Sequence, residues 1–433
     1  MAKTTLVAIE MGYGHLRPAH ALAERLDTPV LQCDRPPLAR PDEQAQWSRA
    51  RRIYEFGSRL SQLPVVGAPL RSALDSLTFI EPLHPFRDLS APTAGTRTLE
   101  RMRQSGMGRG LVEHLGSTGA PLLATFFAPA VIADRAGCEP VYCVVTDSDI
   151  NRVWAPIDAA RSRIRYFAPS LRVERRLRAY GVPGEHIEYT GYPLPHELLG
   201  GIELTTLKRN LAARLVRLDP ERQFRQSYRD ELHHFLGELP EGEERRAPLL
   251  TFAVGGAGAQ ARLARDFLPG FRGLIEAGRF RLALVAGVRE EVAAEFRAAI
   301  SGAGLDSLLG RGIEILIETE FDAYFKRFNR LLAETDILWT KPSEITFFAA
   351  LGLPLVFSWP MGVHERYNRR WAMHAGAGLK QSDPRFAADW IGEWMSDGTL
   401  AAAAWSGYMR LPKFGLYRIV EKLEAAQLNK RAQ

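Results

Sequence analysis

Short apolar runs alternate with longer amphipathic stretches along most of the chain. The first run, Thr5–Ile9, leads into the glycine-containing turn 10–15 and then into an amphipathic stretch predicted to be a helix from Pro18 to Leu26. Strand, glycine turn and helix form the opening unit of a doubly wound α/β domain. Further continuous apolar runs, typical of strands buried on both faces, lie at 122–125, 141–146, 164–168 and 187–190. Helix patterns between them are predicted at 97–115, 128–136 and 170–180.

The same rhythm starts again in the second half. Leu249–Val254 is a predicted strand that ends in a second glycine turn, 255–258. Later strands are predicted at 281–286, 313–317, 337–340 and 355–358. The stretch 200–247 differs, because helical patterns at 204–218 and 228–236 precede a charged, proline-containing run, and we interpret it as an insertion or connector.

These patterns predict the α/β class, with two facing Rossmann-like, doubly wound domains and a helical insertion between them. The expected boundaries are 1–199 for the first domain, 200–247 for the insertion, 248–384 for the second domain, and 385–433 for C-terminal helices that pack back on the first domain. A chain of 433 residues is also too long for one hydrophobic core and suits two.

Composition narrows the function classes. No apolar run reaches the roughly 18–20 residues that cross a bilayer, and the first run meets Glu10 too early for a signal peptide. The three cysteines are too few for a disulfide framework, so we expect a reducing cytoplasm. The net charge of +6 fits several anionic partners, but the basic residues are not clustered with stacking aromatics, so nucleic-acid binding is set aside.

The two glycine turns are candidate ligand loops. Gly12 and Gly14 let the backbone approach a ligand, and the following helix offers unpaired N–H groups to an anion. A tight turn without a ligand is the open alternative. His15 follows directly, at the mouth of the crevice outside the strand ends, where a helix N-terminus favours the neutral imidazole that a general base needs. A capping or surface histidine is the plain alternative for it.

The second turn has the same features, and its natural use is to hold a pyrophosphate. Its candidate residues are Gly255, Gly256, Gly258 and Gln260.

The segment around Lys341 carries further candidates. Ser343 is expected to cap a helix, and Glu344 lies in its first turn, where a carboxylate is favoured and can accept both hydroxyls of a ribose. The following polar loop offers His364, Glu365 and Asn368, whose groups suit sugar hydroxyls. Plain capping and a solvated loop are the alternatives.

The order of these motifs resembles a known family. Gly-x-Gly-His-x-x-Pro-Ala, Val-Val-Thr-Asp with a downstream Trp, Gly-Tyr-Pro, a second glycine loop, Thr-Lys-Pro, Gly-Leu-Pro and Glu-x-x-Asn follow one another over residues 5–195 and 248–380. This order resembles the two-Rossmann (GT-B) glycosyltransferases, above all the monogalactosyldiacylglycerol synthases and processive diacylglycerol glucosyltransferases of the family 28 type. The N-acetylglucosaminyltransferase of peptidoglycan synthesis is a more distant relative.

The resemblance implies an inverting transfer of a sugar from a nucleotide-diphospho-sugar, UDP-linked by expectation, to a hydrophobic and lipid-like acceptor. It implies His15 as catalytic base with Asp147 beside it, and an acceptor side that includes Gly12, Gly14, Asn151 and Trp154. It implies nucleotide contacts by the second glycine loop, Glu320, Phe321 and Glu344, and donor-sugar contacts by His364, Glu365 and Asn368. No resident cofactor is expected, since the nucleotide-sugar is a co-substrate.

Departures from the family pattern keep two alternatives open. Asn151 stands where the diacylglycerol enzymes carry a histidine, their Lys-Pro-Gly-Gly loop is here Lys341-Pro-Ser-Glu344, and His364 replaces a glutamine. The alternatives are a degenerate GT-B protein that binds a sugar nucleotide without transfer, and a UDP-sugar 2-epimerase.

Two further patterns concern the membrane and metals. The basic and aromatic stretch 47–71 is typical of an interfacial segment on anionic lipid, which would make the protein peripheral at the inner face of the cytoplasmic membrane. An ordinary basic helix packed by its apolar side is the equal alternative. Asp147-Ser148-Asp149 matches a short metal motif, but the pattern places it on the acceptor half, so no metal is expected. The oligomeric state is left open.

Overall fold

The computed structural model describes residues 4–49, 79–255, 260–360 and 362–432. Its strands form two sheets of six parallel strands each, one in each half of the chain. The strands are β1 Thr5–Ala8, β2 Val30–Gln32, β3 Leu122–Ala124, β4 Val141–Val144, β5 Arg165–Ala168, β6 Ile187–Tyr189, β7 Leu249–Ala253, β8 Arg281–Gly287, β9 Ile313–Ile317, β10 Ile337–Thr340, β11 Leu355–Phe357 and β12 Gly378–Lys380.

The α-helices lie between the strands and after them. Their bounds are Tyr13–Leu26, Ala94–Gln104, Arg109–Thr118, Phe127–Arg135, Leu171–Ala179, His196–Leu199, Thr205–Leu218, Gln223–Ser227, Arg229–Leu236, Leu263–Glu276, Glu290–Gly302, Phe321–Glu334, Val363–His374, Ala387–Ser396, Thr399–Arg410 and Gly415–Ala432. Residues 41–49 are helical as well. The 3₁₀ helices are Arg152–Trp154, Ala159–Arg161, Gly184–His186, Glu241–Arg245, Asp306–Leu308, Glu344–Leu351 and Pro384–Phe386. None of the helices in the described part of the chain is long and apolar enough to cross a membrane.

The predicted α/β class with two doubly wound sheets is confirmed. The first sheet has the order β2-β1-β3-β4-β5-β6, and the second has the order β12-β11-β10-β7-β8-β9. Read from its own first strand, the second order is the 3-2-1-4-5-6 order of the Rossmann fold, and the first begins with the 2-1-3-4-5 order of flavodoxin-like folds. Strands such as β1 and β4 are buried over their whole length, as expected where helices cover both faces of a parallel sheet.

Residue contacts divide the chain into two compact units. The first unit contains Met1–Leu194, Met361–Asn368 and Pro412–Gln433. The second contains Pro195–Pro360 and Arg369–Leu411. The helical stretch after residue 199 therefore groups with the second sheet, and the last helix, Gly415–Ala432, groups with the first.

The last helix is joined to the first sheet by close contacts. A Cβ on Gly415 would lie 2.3 Å from the carbonyl oxygen of Tyr192, so only glycine lets the chain pass there. Lys422, near the middle of this helix, forms an ion pair of 2.6 Å with Glu188 in β6. In the turn before this helix, burial lowers the pKa of Lys413 to about 8.

Two predicted helices have different bounds in the structure. The first helix begins at Tyr13 rather than at Pro18, because Gly12 at φ 79° turns the chain directly into it and Pro18 is accommodated inside. The helix expected over 97–115 is two helices, because Gly106 and Gly108 at φ 104° and 84° break it. Strands β2 and β12, which lie at one edge of each sheet and end in Gln32 and Lys380, were not predicted.

The first residue of the expected membrane segment is part of the core. Trp47 is 2% exposed and lies in the main apolar cluster of the first unit, so its indole is not available to lipid. Arg49 is the last residue described before a gap, and the rest of the expected segment from 50 to 71 lies outside the described residues.

Candidate functional site

Each sheet has one position where the direction of winding changes. In the first sheet this topological switch point lies between β1 and β3, and in the second it lies between β7 and β10. In open α/β sheets, ligands bind outside the carboxyl ends of the strands at such a point. The two glycine turns that the sequence singles out follow β1 and β7, so each stands at the switch point of its own sheet.

His15 lies at the first switch point, in the first turn of the helix Tyr13–Leu26. Its Nδ1 atom is 2.9 Å from the carbonyl oxygen of Thr125, the residue after β3, and 3.2 Å from the Oγ1 atom of Thr146, which follows β4. The hydroxyl of Thr125 in turn donates to the carbonyl oxygen of His15 at 2.7 Å. The imidazole is therefore fixed by the ends of two neighbouring strands.

These contacts define the tautomer of His15. A carbonyl oxygen can only accept, so the Nδ1 atom that faces it must carry the ring proton. In the neutral imidazole the lone pair is then on Nε2. The geometry thus presents Nε2 as the atom that can take a proton.

Aromatic side chains surround the His15 ring. The ring centroids of Phe126 and Trp154 lie 4.7 Å and 6.4 Å from that of His15. Phe127 packs on Phe126 at 4.2 Å and on Trp154 at 5.4 Å. The structure thus brings the predicted acceptor-side residue Trp154 next to the predicted base and places both in apolar surroundings.

Other predicted acceptor-side residues lie on the adjoining turns. Gly12 precedes the first helix at φ 79°, where a side chain would be strained, and Gly14 is the second residue of that helix. Asn151 precedes the 3₁₀ turn that carries Trp154.

Asp147 and Asn368 are brought together in the first unit. The Nδ2 atom of Asn368 donates to Oδ1 of Asp147 at 3.1 Å. The Oδ1 atom of Asn368 accepts from the backbone N–H of Ser148 at 2.9 Å and from its hydroxyl at 2.7 Å. A residue expected to touch the donor sugar is therefore joined to the loop that follows β4.

The second aspartate of the short metal motif is occupied by arginine. Asp149 forms hydrogen bonds of 2.8 Å and 3.0 Å with Arg176, and both side chains are fully buried. Burial acts to lower the pKa of Arg176, and the hydrogen bond and charge of Asp149 outweigh it, so that pKa is raised. Among the described residues, no group of three or more His, Cys, Asp or Glu side chains could hold a metal ion.

His364 and Glu365, the other two residues predicted to contact the donor sugar, lie in the first turn of the helix Val363–His374. Glu365 is buried, and the ring of His364 lies close to Gly362, where a Cβ would be 3.1 Å from its Cε1 atom. Both residues are grouped with the first unit.

The second switch point begins with Gly255, directly after β7. Gly255 has φ 70°, and a Cβ there would lie 2.5 Å from Cε of Lys341, which follows β10. The two strand ends on either side of the switch point are therefore in contact through a glycine and a lysine stem. Gly256 and Gly258, predicted for the same loop, lie outside the described residues.

Gln260 holds the loop after β11. Its Nε2 atom donates to the carbonyl oxygen of Trp359 at 2.8 Å, and its Oε1 atom accepts from the hydroxyl of Ser358. Both ends of the amide thus have protein partners, and the indole of Trp359 is left 70% exposed beside them.

Glu344 is the first residue of the 3₁₀ helix Glu344–Leu351 and is 6% exposed. The prediction that Ser343 caps this helix with its side chain is wrong. Ser343 has extended geometry, and the turn is closed through the backbone, with the N–H of Thr346 donating to the carbonyl of Ser343 at 3.0 Å. Within the described residues, the Ser343 hydroxyl has no hydrogen-bond partner.

Glu320 and Phe321 mark the start of another helix of the second unit. Glu320 precedes the helix Phe321–Glu334 and accepts from the N–H of Tyr324 through its carbonyl at 2.9 Å. Phe321 stacks on Phe325, with ring centroids 6.2 Å apart.

The helix Thr205–Leu218 supports the second switch point from behind. Arg214, fully buried, donates to the carbonyl oxygens of Leu351 and Gly352 at 3.0 Å and to that of Thr335 at 2.8 Å. Burial lowers the pKa of Arg214 to about 10. These carbonyls end the 3₁₀ helix that begins with Glu344 and the helix before β10, so one cation satisfies the ends of both.

A buried ion pair adds to this support. Arg217 donates to Oδ1 of Asp336 at 2.8 Å, while Oδ2 of Asp336 accepts from the N–H of Leu249 at the start of β7 at 2.9 Å. Burial raises the pKa of Asp336, and Arg217 opposes that rise. The stretch interpreted from its sequence as a connector is therefore anchored in the second unit.

Thr125 was not singled out from the sequence, and Thr146 and Ser148 were quoted only as parts of motifs, with no role of their own. All three lie just after β3 or β4, at the carboxyl ends of the strands. A search for polar residues at and just beyond the carboxyl end of each predicted strand would have found them.

Comparison with known proteins concerns the fold. No protein-family model and no curated protein matches the sequence. Among solved structures, a co-structure of S. aureus MnaA with UDP has 14% identity and a TM-score of 0.50, with 98% of this chain and 96% of that chain covered. UDP-GlcNAc 2-epimerase from Neisseria meningitidis bound to UDP-GlcNAc has 12% identity and a TM-score of 0.49, covering 98% and 99%. MurG from Acinetobacter baumannii has 13% identity and a TM-score of 0.46, covering 98% and 99%.

At these identities the similarity is one of fold, and the MnaA structure and the two sheet orders agree on that fold. The chain is an α/β protein with a two-domain, GT-B-like fold.

Proposed function

We propose that the protein is an inverting glycosyltransferase that moves a sugar from a UDP-sugar to a hydrophobic acceptor. The observation that carries the proposal is the setting of His15: a fixed tautomer with its lone pair on Nε2, at a topological switch point, against an aromatic wall. A general base needs the first property, and an apolar acceptor is suited to the last.

The second unit holds the nucleotide in this proposal. Its switch point has the glycine turn after β7, the Lys341 stem and the buried Glu344, with Glu320 and Phe321 as further candidates. A glycine turn after a strand offers backbone N–H groups to a diphosphate, and Glu344 is assigned to the ribose hydroxyls. The co-structure of MnaA, which shares the fold, holds UDP, and this supports uridine diphosphate as the nucleotide.

The reaction proceeds by a single displacement. The acceptor oxygen attacks the anomeric carbon while its proton moves to Nε2 of His15, and the bond from that carbon to the diphosphate oxygen breaks. UDP leaves with the electron pair, and backbone N–H groups stabilise the charge that develops on it. The configuration at the anomeric carbon is inverted, because the nucleophile enters opposite the leaving group.

We further propose that the acceptor is a lipid and that the protein binds an anionic membrane surface. Both parts rest on the resemblance to the diacylglycerol enzymes and on the aromatic wall of Phe126, Phe127 and Trp154. Flotation with anionic vesicles at low salt tests the membrane part, and a protein that stays at the bottom of the gradient contradicts it.

One assay separates the proposal from its alternatives. The purified full-length protein is incubated with UDP-glucose, UDP-galactose and UDP-N-acetylglucosamine, each with and without diacylglycerol in mixed micelles, and both released UDP and the sugar products are measured. Release of UDP that depends on the acceptor supports the transferase. An isomerised sugar without acceptor supports a UDP-sugar 2-epimerase, and tight binding without either product supports a degenerate binding protein.

A further inference from the structure

Asn368 is a fully buried amide with three protein hydrogen bonds. Both of its polar atoms point at the loop 147–148, and the side chain is 0% exposed. The sequence assigns this residue to the donor sugar. Both the oxygen and the nitrogen of this amide are bound by protein groups at 2.7–3.1 Å. Such an amide is better explained as a group that holds the loop in place than as a ligand contact.

The hydrogen bonds fix which way the amide faces. The backbone N–H of Ser148 can only donate, so the atom of Asn368 that faces it must be the oxygen. The NH₂ group then points at Asp147 and donates to its carboxylate. The orientation is determined by the protein, and it gives Asp147 a hydrogen bond that is strongest when that carboxylate is ionised.

The same loop is held from its other side. Asp149 is bound by Arg176 and by Arg172, and the Arg172 guanidinium lies 5.4 Å from the ring centroid of Tyr367, the neighbour of Asn368. The hydroxyl of Tyr367 donates to the carbonyl oxygen of Ile80 at 3.4 Å. Asn368 therefore contacts the loop directly and Tyr367 contacts it through Arg172, and Asp147 is the less buried of the two carboxylates of the loop.

We propose that Asn368 is a positioning residue that holds the loop after β4 and aims the Asp147 carboxylate, and that it does not bind the donor sugar. This rests on the proposed function, in which Asp147 orients the base or the acceptor. Thr146, which contacts the His15 ring, directly precedes Asp147, so a shift of this loop moves a partner of the base as well.

The first experiment does not depend on turnover. Hydrogen exchange is followed in the full-length N368A variant and in the wild type, on peptides that contain the Ser148 amide. The Ser148 amide loses its acceptor in N368A, so its exchange is expected to accelerate at least about tenfold. Unchanged exchange at Ser148 would show that Asn368 does not hold this loop.

The second experiment separates a positioning role from a sugar contact. Calorimetric titrations of N368A with UDP and with the UDP-sugar that the wild type turns over are compared, together with kcat and KM. A positioning role predicts that the affinity of the UDP-sugar relative to UDP is unchanged and that kcat falls about tenfold or more. A selective loss of UDP-sugar affinity with kcat unchanged would overturn the proposal.

The third experiment uses pH. In N368D a second carboxylate faces that of Asp147, and like charges raise the pKa of such a pair. When protonated, the introduced carboxyl group can donate to Asp147 as the amide does, so we expect kcat of N368D to recover toward the wild-type value as the pH falls and to be lost as it rises. Other charged or titratable groups around the loop are His15, Asp149, Arg172, Arg176, His364 and Glu365.

Asn329 provides a matched control for that variant. It is 3% exposed, and its Nδ2 atom donates to the carboxylate of Glu197 at 2.7 Å, the same pairing at a place assigned no role in the reaction. N329D should keep the wild-type pH profile of kcat. A profile of N368D that coincides with that of N329D would refute the positioning role. A wild type that turns over no UDP-sugar would refute the proposed function. The exchange measurement would still test whether Asn368 holds the loop at Ser148.

Discussion

The two switch points are built in different ways. At the first, polar side chains are bound to one another: His15 to Thr125 and Thr146, and Asp147 to Asn368. At the second, the described residues are Gly255, the stem of Lys341 and Ser343, whose buried hydroxyl has no partner among the described residues, and the strong polar contacts are those of Arg214 with the helix ends. A proton-transfer group needs one fixed orientation, whereas a ligand-binding surface keeps hydrogen-bonding capacity that the ligand fulfils. The comparison thus supports the proposal that the chemistry takes place at the first switch point and that the nucleotide binds at the second.

The largest expected effect comes from removing the proposed base. H15A should lower kcat by about a thousandfold, the range of general base catalysis, with UDP affinity nearly unchanged. Turnover is measured by UDP release, and affinity by calorimetry. H20A, on the same helix, is the control and should keep wild-type turnover. Equal activity of H15A and wild type would remove the distinction between the two switch points.

The next effect concerns the support of the second switch point. R214M leaves four buried carbonyl groups, those of Leu332, Thr335, Leu351 and Gly352, without this donor and should lower the free energy of unfolding by about 3 kcal/mol. It should also weaken UDP binding, because the 3₁₀ helix that carries Glu344 loses its end contacts. Urea denaturation measures the first effect, with R209M on the exposed side of the same helix as control. A loss no larger than that of R209M would mean that Arg214 does not support this helix.

A half-buried cation of the first unit, Lys413, gives a pH-dependent effect. The pKa of Lys413 is lowered from 10.5 to about 8 by burial, so between these values the unfolded chain binds a proton that the folded chain does not. Stability of the wild type should therefore rise with pH over this window. K413M, which lacks the charge, should be more stable than wild type by about 3 kcal/mol at pH 7, and the difference should vanish toward pH 10.5. A constant difference in urea denaturation across this range would contradict the assignment.

A smaller effect is expected at Thr146, which contacts the imidazole of the proposed base. T146V keeps the shape of the side chain but removes the hydroxyl that lies 3.2 Å from Nδ1 of His15, so kcat should fall by about tenfold through misorientation of the imidazole. UDP affinity should not change. T146S restores the hydroxyl and should recover most of the rate. If T146S is as slow as T146V, the methyl group rather than the hydroxyl positions the ring.

The smallest effect is expected at Ser343. S343A removes a hydroxyl that has no partner among the described residues, so the free energy of unfolding should change by less than about 0.5 kcal/mol. If this hydroxyl serves the nucleotide, UDP affinity falls about five- to tenfold. Calorimetry with UDP measures this. Unchanged affinity together with unchanged stability would place Ser343 outside the ligand surface.

The sequence predicted what depends on local patterns. The apolar runs located ten of the twelve strands, and the glycine turns located both switch points, because a buried parallel strand and a sharp turn each have a signature within a few residues. β2 and β12 were missed; both are edge strands that end in a polar residue, Gln32 or Lys380, and are only partly buried.

The roles of single side chains were harder to predict. Asn368 and Ser148 are 220 positions apart, and no local pattern indicates that one holds the other. The anchoring of the helix Thr205–Leu218 was missed for the same reason, since it depends on carbonyls more than a hundred positions away.

The contacts of this helix limit where the chain can be cut to make stable fragments. A helix whose arginines reach the starts and ends of several strands and helices cannot be trimmed as a spacer, and cutting the chain near residue 220 would separate Arg214 and Arg217 from every partner they bind. A fragment meant to carry the second sheet should begin upstream of Pro195, and fragments that begin at 248 should aggregate when expressed.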